Sequence, residues 1–267
     1  MEQQNKHEKG FNIYDYGKIK VGPQTLDDAI FDLDYKPKSK NSDFGKSAVC
    51  QALHDKDIAA LREISEFYYR TNGIYERNCN YFAFLYRYDW YLEPEVFGNK
   101  VDAKKVSSEF YRILNYLDKS NIKKLCGDIA LETIVKGVYY GYIVDSPDQL
   151  MVQQLPWKYC RSRYQVQGRP AVEFNMKYFD DEFSDVQYRL RILKLFPKEF
   201  QKGYALYKQG KLKPDFAGDD RGGWYLLDPK YAFKFNFNNG VIPIFVNAIP
   251  YLLDLEAAQA LDRRKQM

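Results

Sequence analysis

The sequence predicts an α+β fold, and three observations carry that reading. Apolar residues recur at helical spacing from residue 57 to about 135, and again from 249 to 265. From residue 138 onward, short β-branched and aromatic runs alternate with turn residues, as strands of a mostly antiparallel sheet do. Finally, 45% of the 267 residues are apolar, enough for one large domain or two small ones. The apolar material is unusually rich in rings: 24 Tyr, 18 Phe and 3 Trp make up 17% of the chain. Mean hydropathy is nevertheless −0.57, so the chain is polar outside its rings. Tyrosine, apolar in body and polar at its tip, suits interfaces as well as cores.

Residues 1–56 read as a polar, partly extended arm with a few short ordered pieces, and 36–43 (KPKSKNSD) as linker-like. Tyr14, Tyr16, Phe31 and Tyr35 are its candidate anchors. Asp57 caps a helix carrying Ile58, Leu61, Ile64 and Tyr68, which Thr71-Asn72-Gly73 ends through a left-handed glycine. A second helix runs from Ile74 to about Tyr88 with Cys79, Phe82 and Tyr86 on one side, and Pro94 closes the unit. Asp102 caps a third helix to about Leu117, with Val106, Phe110, Ile113, Leu114 and Leu117 as its apolar stripe. Ser120 or Asn121 opens a fourth, in which Ile122, Leu125, Ile129, Ile134 and Val135 are expected to be buried.

Residues 138–144 (VYYGYIV) then read as a strand, with a turn at Ser146-Pro147-Asp148. Further strands are expected at 150–154, 159–166 and 171–176, the last two joined in a hairpin by Gln167-Gly168-Arg169-Pro170. Residues 183–196 fit strand or helix. Helix is preferred because capping-type acids precede them. Pro197 starts a helix to about Gln209, and 224–227 and 232–236 are two more strands beyond a Gly- and Asp-rich loop at 214–223. The closing helix, Ile249 to Lys265, carries Tyr251, Leu252, Leu255, Ala258, Ala260 and Leu261. Its basic end suits the helix dipole, and no residue terminates it, so a longer protein is expected.

Several function classes are not supported. No run approaches ~18 apolar residues, and the opening MEQQNKHEKG lacks the apolar stretch of a signal peptide. Cys50, Cys79, Cys126 and Cys160 are widely spaced and read as reduced thiols of an intracellular protein. With His7 and His54 as its histidines, the chain offers little for a zinc site, a general base or a cysteine nucleophile, and no cofactor is expected. Phosphate-binding and hydrolase motifs are absent.

Two chemical readings stay open. Asp180, Asp181, Glu182 and Asp185 form an acidic block that would suit a Mg²⁺-dependent nuclease, although acids before a helix also serve its dipole. Tyr159-Cys160-Arg161-Ser162-Arg163-Tyr164 interleaves rings with cations, as a nucleic-acid-binding strand does and as a half-buried sheet does. Lysines 194, 198, 202, 208, 211 and 213 form a basic block, a solvated face or a partner for the acidic block across a subunit contact.

An ordered series of segments resembles the tailed-bacteriophage portal proteins, the head–tail connectors. It begins with Ile64-Ser65-Glu66-Phe67-Tyr68, Asn72-Gly73-Ile74-Tyr75 and Tyr86-Arg87-Tyr88-Asp89-Trp90-Tyr91-Leu92-Glu93-Pro94. It continues through Gly137-Val138-Tyr139-Tyr140-Gly141-Tyr142, Leu155-Pro156-Trp157-Lys158-Tyr159-Cys160-Arg161, Phe196-Pro197-Lys198-Glu199-Phe200 and Tyr204-Ala205-Leu206-Tyr207. Trp224-Tyr225-Leu226-Leu227-Asp228 and the helix from Pro250 complete it. The resemblance implies a non-catalytic virion protein, usually a ring of twelve copies at one capsid vertex. Double-stranded DNA is packaged and ejected through such a ring. The implied partners are the major capsid protein, the packaging terminase, a tail or head-completion adaptor and the DNA itself. Residues 57–245 would be the wing and 246–267 the start of the first stem helix, with the clip, second stem helix and crown absent. Arg263, Arg264 and Lys265 would face the channel, and Trp90, Tyr91, Trp157 and Trp224 are candidate subunit-interface residues.

Overall fold

The computed structural model describes residues 44–87, 91–93, 102–144, 146, 149–166, 168–212, 222–237 and 241–265. The fold is α+β. In chain order the first helices are α1 (Lys46–Asp55), α2 (Ile58–Thr71), α3 (Gly73–Leu85), α4 (Ala103–Lys119) and α5 (Ile122–Lys136). Then come strands β1 (Tyr139–Val144), β2 (Met151–Leu155), β3 (Cys160–Arg161), β4 (Gln165–Val166), β5 (Arg169–Pro170) and β6 (Glu173–Asn175). Helices α6 (Tyr178–Glu182), α7 (Val186–Leu195) and α8 (Lys198–Lys208) follow, then β7 (Trp224–Leu226), β8 (Ala232–Phe235) and α9 (Ile249–Lys265). The chain divides into two compact units, one of described residues 140–234 and one of those before 140 and after 234.

The second of these units is helical. Its caps are the expected ones: Asp57 accepts from the N–H groups of Ala59 and Ala60 at 3.1 Å, and Asp102 from those of Lys104 and Lys105 at 3.0 and 3.4 Å. Each such cap is worth about 1 kcal/mol. The break between α2 and α3 works differently from the expectation. Asn72 is extended, at φ −116° and ψ 108°, and its side chain caps α3 through the N–H groups of Ile74 and Tyr75. No left-handed glycine is used there. That device closes α5 instead, where Gly137 at φ +75° returns its N–H to the Thr133 carbonyl at 2.8 Å.

Leu61, Ile64 and Tyr68 of α2, Tyr75, Cys79 and Ala83 of α3, and Ala130, Ile134 and Val135 of α5 form the core of this unit. Val49 and Ala52 of α1 join them, so part of the segment expected as an arm is helix and core. The expected inner face of α3 is corrected: Cys79 is buried, but Phe82 and Tyr86 are 44% and 53% exposed. Arg87 ties the end of α3 to Asp128 of α5 at 2.6 Å, lying where a side chain on Gly127 would stand. The stripe of α4 is half-buried, with Ile113 exposed, and in α5 Leu125, Ile134 and Val135 are buried. Helix α9 has the expected bounds. Ile249 is buried and Leu252 and Leu253 pack on the core, whereas Tyr251, Leu255 and Leu261 are exposed. Its early turns are held by Lys46–Asp254 at 2.6 Å and Asn72–Glu256 at 2.7 Å.

In the other unit β1 pairs antiparallel with β2, from Tyr140↔Leu155 to Val144↔Met151, in the order β2–β1–β8. A second sheet runs β3–β6–β7, with Arg161↔Glu173 and Asn175↔Trp224 in register. The expected strand at 159–166 is split, because residues 157–159 form a 3₁₀ turn and β3 ends at Arg161. The hairpin expected around Gly168 is present as β4–β5, with Arg169 and Pro170 in the strand rather than the turn. Within 183–196 the chain is helical as preferred, though only from Val186 to Leu195, and Asp185 caps this helix, α7, through the N–H groups of Gln187 and Tyr188. The core here is aromatic: Phe179, Phe196, Phe200 and Phe174 follow one another at 5.0–5.4 Å in tilted or edge-on pairs. Such pairs contribute about 0.5–1.5 kcal/mol each beyond their burial. Helix α8 reaches this core closely because position 203 is glycine; a Cβ there would stand 2.4 Å from Met176 and 2.9 Å from the Tyr225 ring.

Candidate functional site

The basic–aromatic segment is built around a buried carboxylate. Glu173 and Asn175 of β6 project from one face of the β3–β6–β7 sheet, since alternate residues share a face. Arg161 stands opposite Glu173 and donates from Nε at 2.7 Å, and Arg163 approaches the same carboxylate at 3.2 Å. The Arg161 guanidinium also lies 3.8 Å from the Trp224 ring centroid, a cation–π stack. Glu173 is 1% exposed, so removing both arginines would leave a charge uncompensated in the interior. The segment that suggested nucleic-acid binding is thus turned toward its own sheet.

The acidic block is dispersed in the same way. Asp180, inside α6, takes Lys208 at 2.6 Å, the Tyr204 hydroxyl at 2.8 Å and Arg189. Burial pushes its pKa up, but Lys208, Tyr204 and Arg189 outweigh that and hold it below the usual carboxylate range. Asp181 and Glu182 both accept from the Tyr159 hydroxyl, at 3.3 and 3.2 Å, and Lys177 stands 3.6 Å from Asp181. Burial and then these two acids push the Tyr159 phenol up. Asp185 is a helix cap. The acids therefore serve packing and capping, and among the described residues no group of three His, Cys, Asp or Glu side chains is placed to hold a metal ion.

Trp157 and Trp224 are half-buried in the unit of residues 140–234, while Tyr91, 83% exposed, belongs to the helical unit. Trp90 and Pro94 lie outside the described residues, as do the arm anchors and much of the 146–148 turn and 214–223 loop. Helix α9 runs through Lys265, and Arg263 is exposed. The side chains of Arg264 and Lys265 lie outside the described residues. The four cysteines are free, and burial raises the Cys79 thiol to about 12, so that sulfur is inert at neutral pH. His54 is exposed beside Asp55. No helix among the described residues is long and apolar enough to cross a membrane.

One surface was missed. Tyr81, Phe82 and Leu85 of α3 and Tyr86 just after it are exposed. Phe245 lies 5.2 Å from Phe82, and Phe237 lies 5.6 Å from Tyr86 and 5.2 Å from Phe235. Exposed apolar patches of this kind mark interaction surfaces. The signal was legible: Tyr81-Phe82-Ala83-Phe84-Leu85-Tyr86 holds more large apolar side chains than one face of a helix buries.

No protein-family model, curated protein or solved structure matches the chain.

Proposed function

We propose that the chain is the wing and the start of the stem of a tailed-bacteriophage portal subunit. In this reading it is a structural ring component at one capsid vertex, through which double-stranded DNA is packaged and ejected, without catalysis of its own. The motor, the tail adaptor and the capsid protein are the partners the reading carries. The observation that carries it, beside the ordered series of portal-like segments, is the surface of α9. Its first two turns are packed on the helical core through Ile249, Leu252 and Leu253 and ion-paired through Asp254, while Tyr251, Leu255 and Leu261 stand exposed. A helix with apolar residues spread around it is stable when neighbours cover it, and a ring of like subunits brings one such helix from each. The exposed rings of α3 fit the same demand for lateral contact, since aromatic side chains are favoured in interfaces.

Arg263, Arg264 and Lys265 then sit at the channel end of the stem helix and touch DNA phosphate transiently. DNA retention unchanged in Arg263→Glu with Arg264→Glu would remove that role. The nucleic-acid-binding and nuclease readings rest on residues now engaged elsewhere, Arg161 and Arg163 with Glu173, and Asp180 with Lys208. Negative-stain electron microscopy of the purified protein tests the proposal. Rings with a central hole are expected; monodisperse monomers at micromolar concentration would overturn it.

A further inference from the structure

Helices α7 and α8 meet at Phe196-Pro197, and their outer faces carry Arg191, Lys194, Lys198 and Lys202, all exposed. Arg191 and Lys194 are three residues apart on α7, and Lys198 and Lys202 four apart on α8, so each pair shares one helix face. The corner between them is fixed. Gln201 Nε2 donates to the Phe196 carbonyl at 2.8 Å, and Phe196 and Phe200 pack at 5.4 Å.

None of the four cations has an acidic partner among the described residues. The nearby acids are committed elsewhere. Glu199 accepts from the Tyr142 hydroxyl at 2.7 Å and the Asp228 N–H at 2.8 Å, Asp180 holds Lys208 and Arg189, and Asp185 caps α7. Local electrostatics explains Lys194, in the last turn of α7, but not the other three. Lys198 is the first residue of α8, where the helix dipole disfavours a cation, and Lys202 one turn on repels it. The acidic block that could have met this ridge from a second copy is already engaged within its own chain.

We propose that this ridge docks the phosphate backbone of duplex nucleic acid, by charge and without regard to sequence. Four long cations in two helical pairs suit a line of phosphates. The neighbouring ring of α7, Tyr188, is turned against Phe183 at 5.7 Å, so the ridge offers no platform for stacking an unpaired base. The inference goes beyond the ring reading and does not depend on it. Val186 and Leu190 are exposed on the adjoining face of α7, which makes a lipid surface the competing source of phosphate.

The test is fluorescence anisotropy of a labelled 20-base-pair duplex of mixed sequence, titrated with the full chain between 50 and 200 mM NaCl. Neutralising four phosphates at ~0.9 each predicts a log–log salt slope of about −3.6, roughly a 150-fold loss of affinity over that range. Lys198→Gln with Lys202→Gln should flatten the slope by about 2. Lys104→Gln with Lys105→Gln, exposed on α4, should leave it unchanged. The proposal is overturned if the unaltered protein shows no salt-dependent duplex binding, or if the ridge and α4 variants behave alike. Binding to phosphatidylserine–phosphatidylcholine vesicles with no binding to the duplex would overturn it as well.

Discussion

Ser65 offers the sharpest test of how the helical unit is held together. It is fully buried on α2, and its hydroxyl lies 2.6 Å from the Val135 carbonyl and 2.7 Å from the Tyr75 hydroxyl. A carbonyl only accepts, so Ser65 donates to Val135 and Tyr75 donates to Ser65. Val135 is in the last turn of α5, where carbonyls lack helical partners, so this serine completes α5 while α3 supplies the closing tyrosine. Ser65→Ala strips two buried polar groups of their partner at once. At about 1–3 kcal/mol for each unsatisfied group, the expected loss is about 2–6 kcal/mol. Tyr75→Phe removes one donor and leaves the Ser65–Val135 bond intact, so it should cost about 0.5–1.5 kcal/mol. In the Ser65→Ala background, Tyr75→Phe should be neutral or stabilising, because it removes a stranded hydroxyl. Urea unfolding followed by circular dichroism on the four proteins gives the cycle. If Tyr75→Phe costs as much without Ser65 as with it, the two hydroxyls are uncoupled and the reasoning fails.

Two further outcomes follow from single positions. Gly137→Ala should lower the melting temperature by several degrees. Its φ of +75° disfavours a side chain by about 1–2 kcal/mol, and the new Cβ would stand 2.4 Å from the Val241 carbonyl oxygen, a backbone atom that cannot swing away. Thermal melts check this, and an unchanged midpoint would contradict it. Asp180 has a depressed pKa in the folded chain, so its contribution is complete above the ordinary carboxylate value of 3.8 and fades as pH falls through the folded value. Asp180→Asn should therefore be less stable than the unaltered protein at pH 7 and lose less on acidification. Urea midpoints at pH 7 and pH 3 measure both, and an identical acid loss in the two proteins would refute the assignment.

Helix starts were legible because they are local. Asp57, Asp102 and Asp185 precede apolar periodicity, and a capping side chain needs nothing beyond the next three residues. The bounds of α9 and the hairpin at Gly168 were readable for the same reason. The burial of each face was not. Phe82 and Tyr86 share the helical period of Cys79, yet Cys79 is inside and the two rings are outside. Hydrophobic spacing says which side chains share a face; it does not say whether another element covers it.

The candidate site divides along the same line. The sequence by itself determined an α+β chain, the aspartate caps of α2 and α4, its wealth of rings and the presence of acidic and basic blocks. Which charges are available was decided by tertiary structure. Arg161 and Arg163 meet Glu173 across strands, and Asp180 meets Lys208 from another helix, over 28 residues of chain. Lys198 and Lys202 meet no acid among the described residues, although they belong to the same lysine block as Lys208. Composition counts charges equally, whereas an ion pair depends on side-chain atoms brought within a few ångströms, and only the packing of distant segments sets those distances.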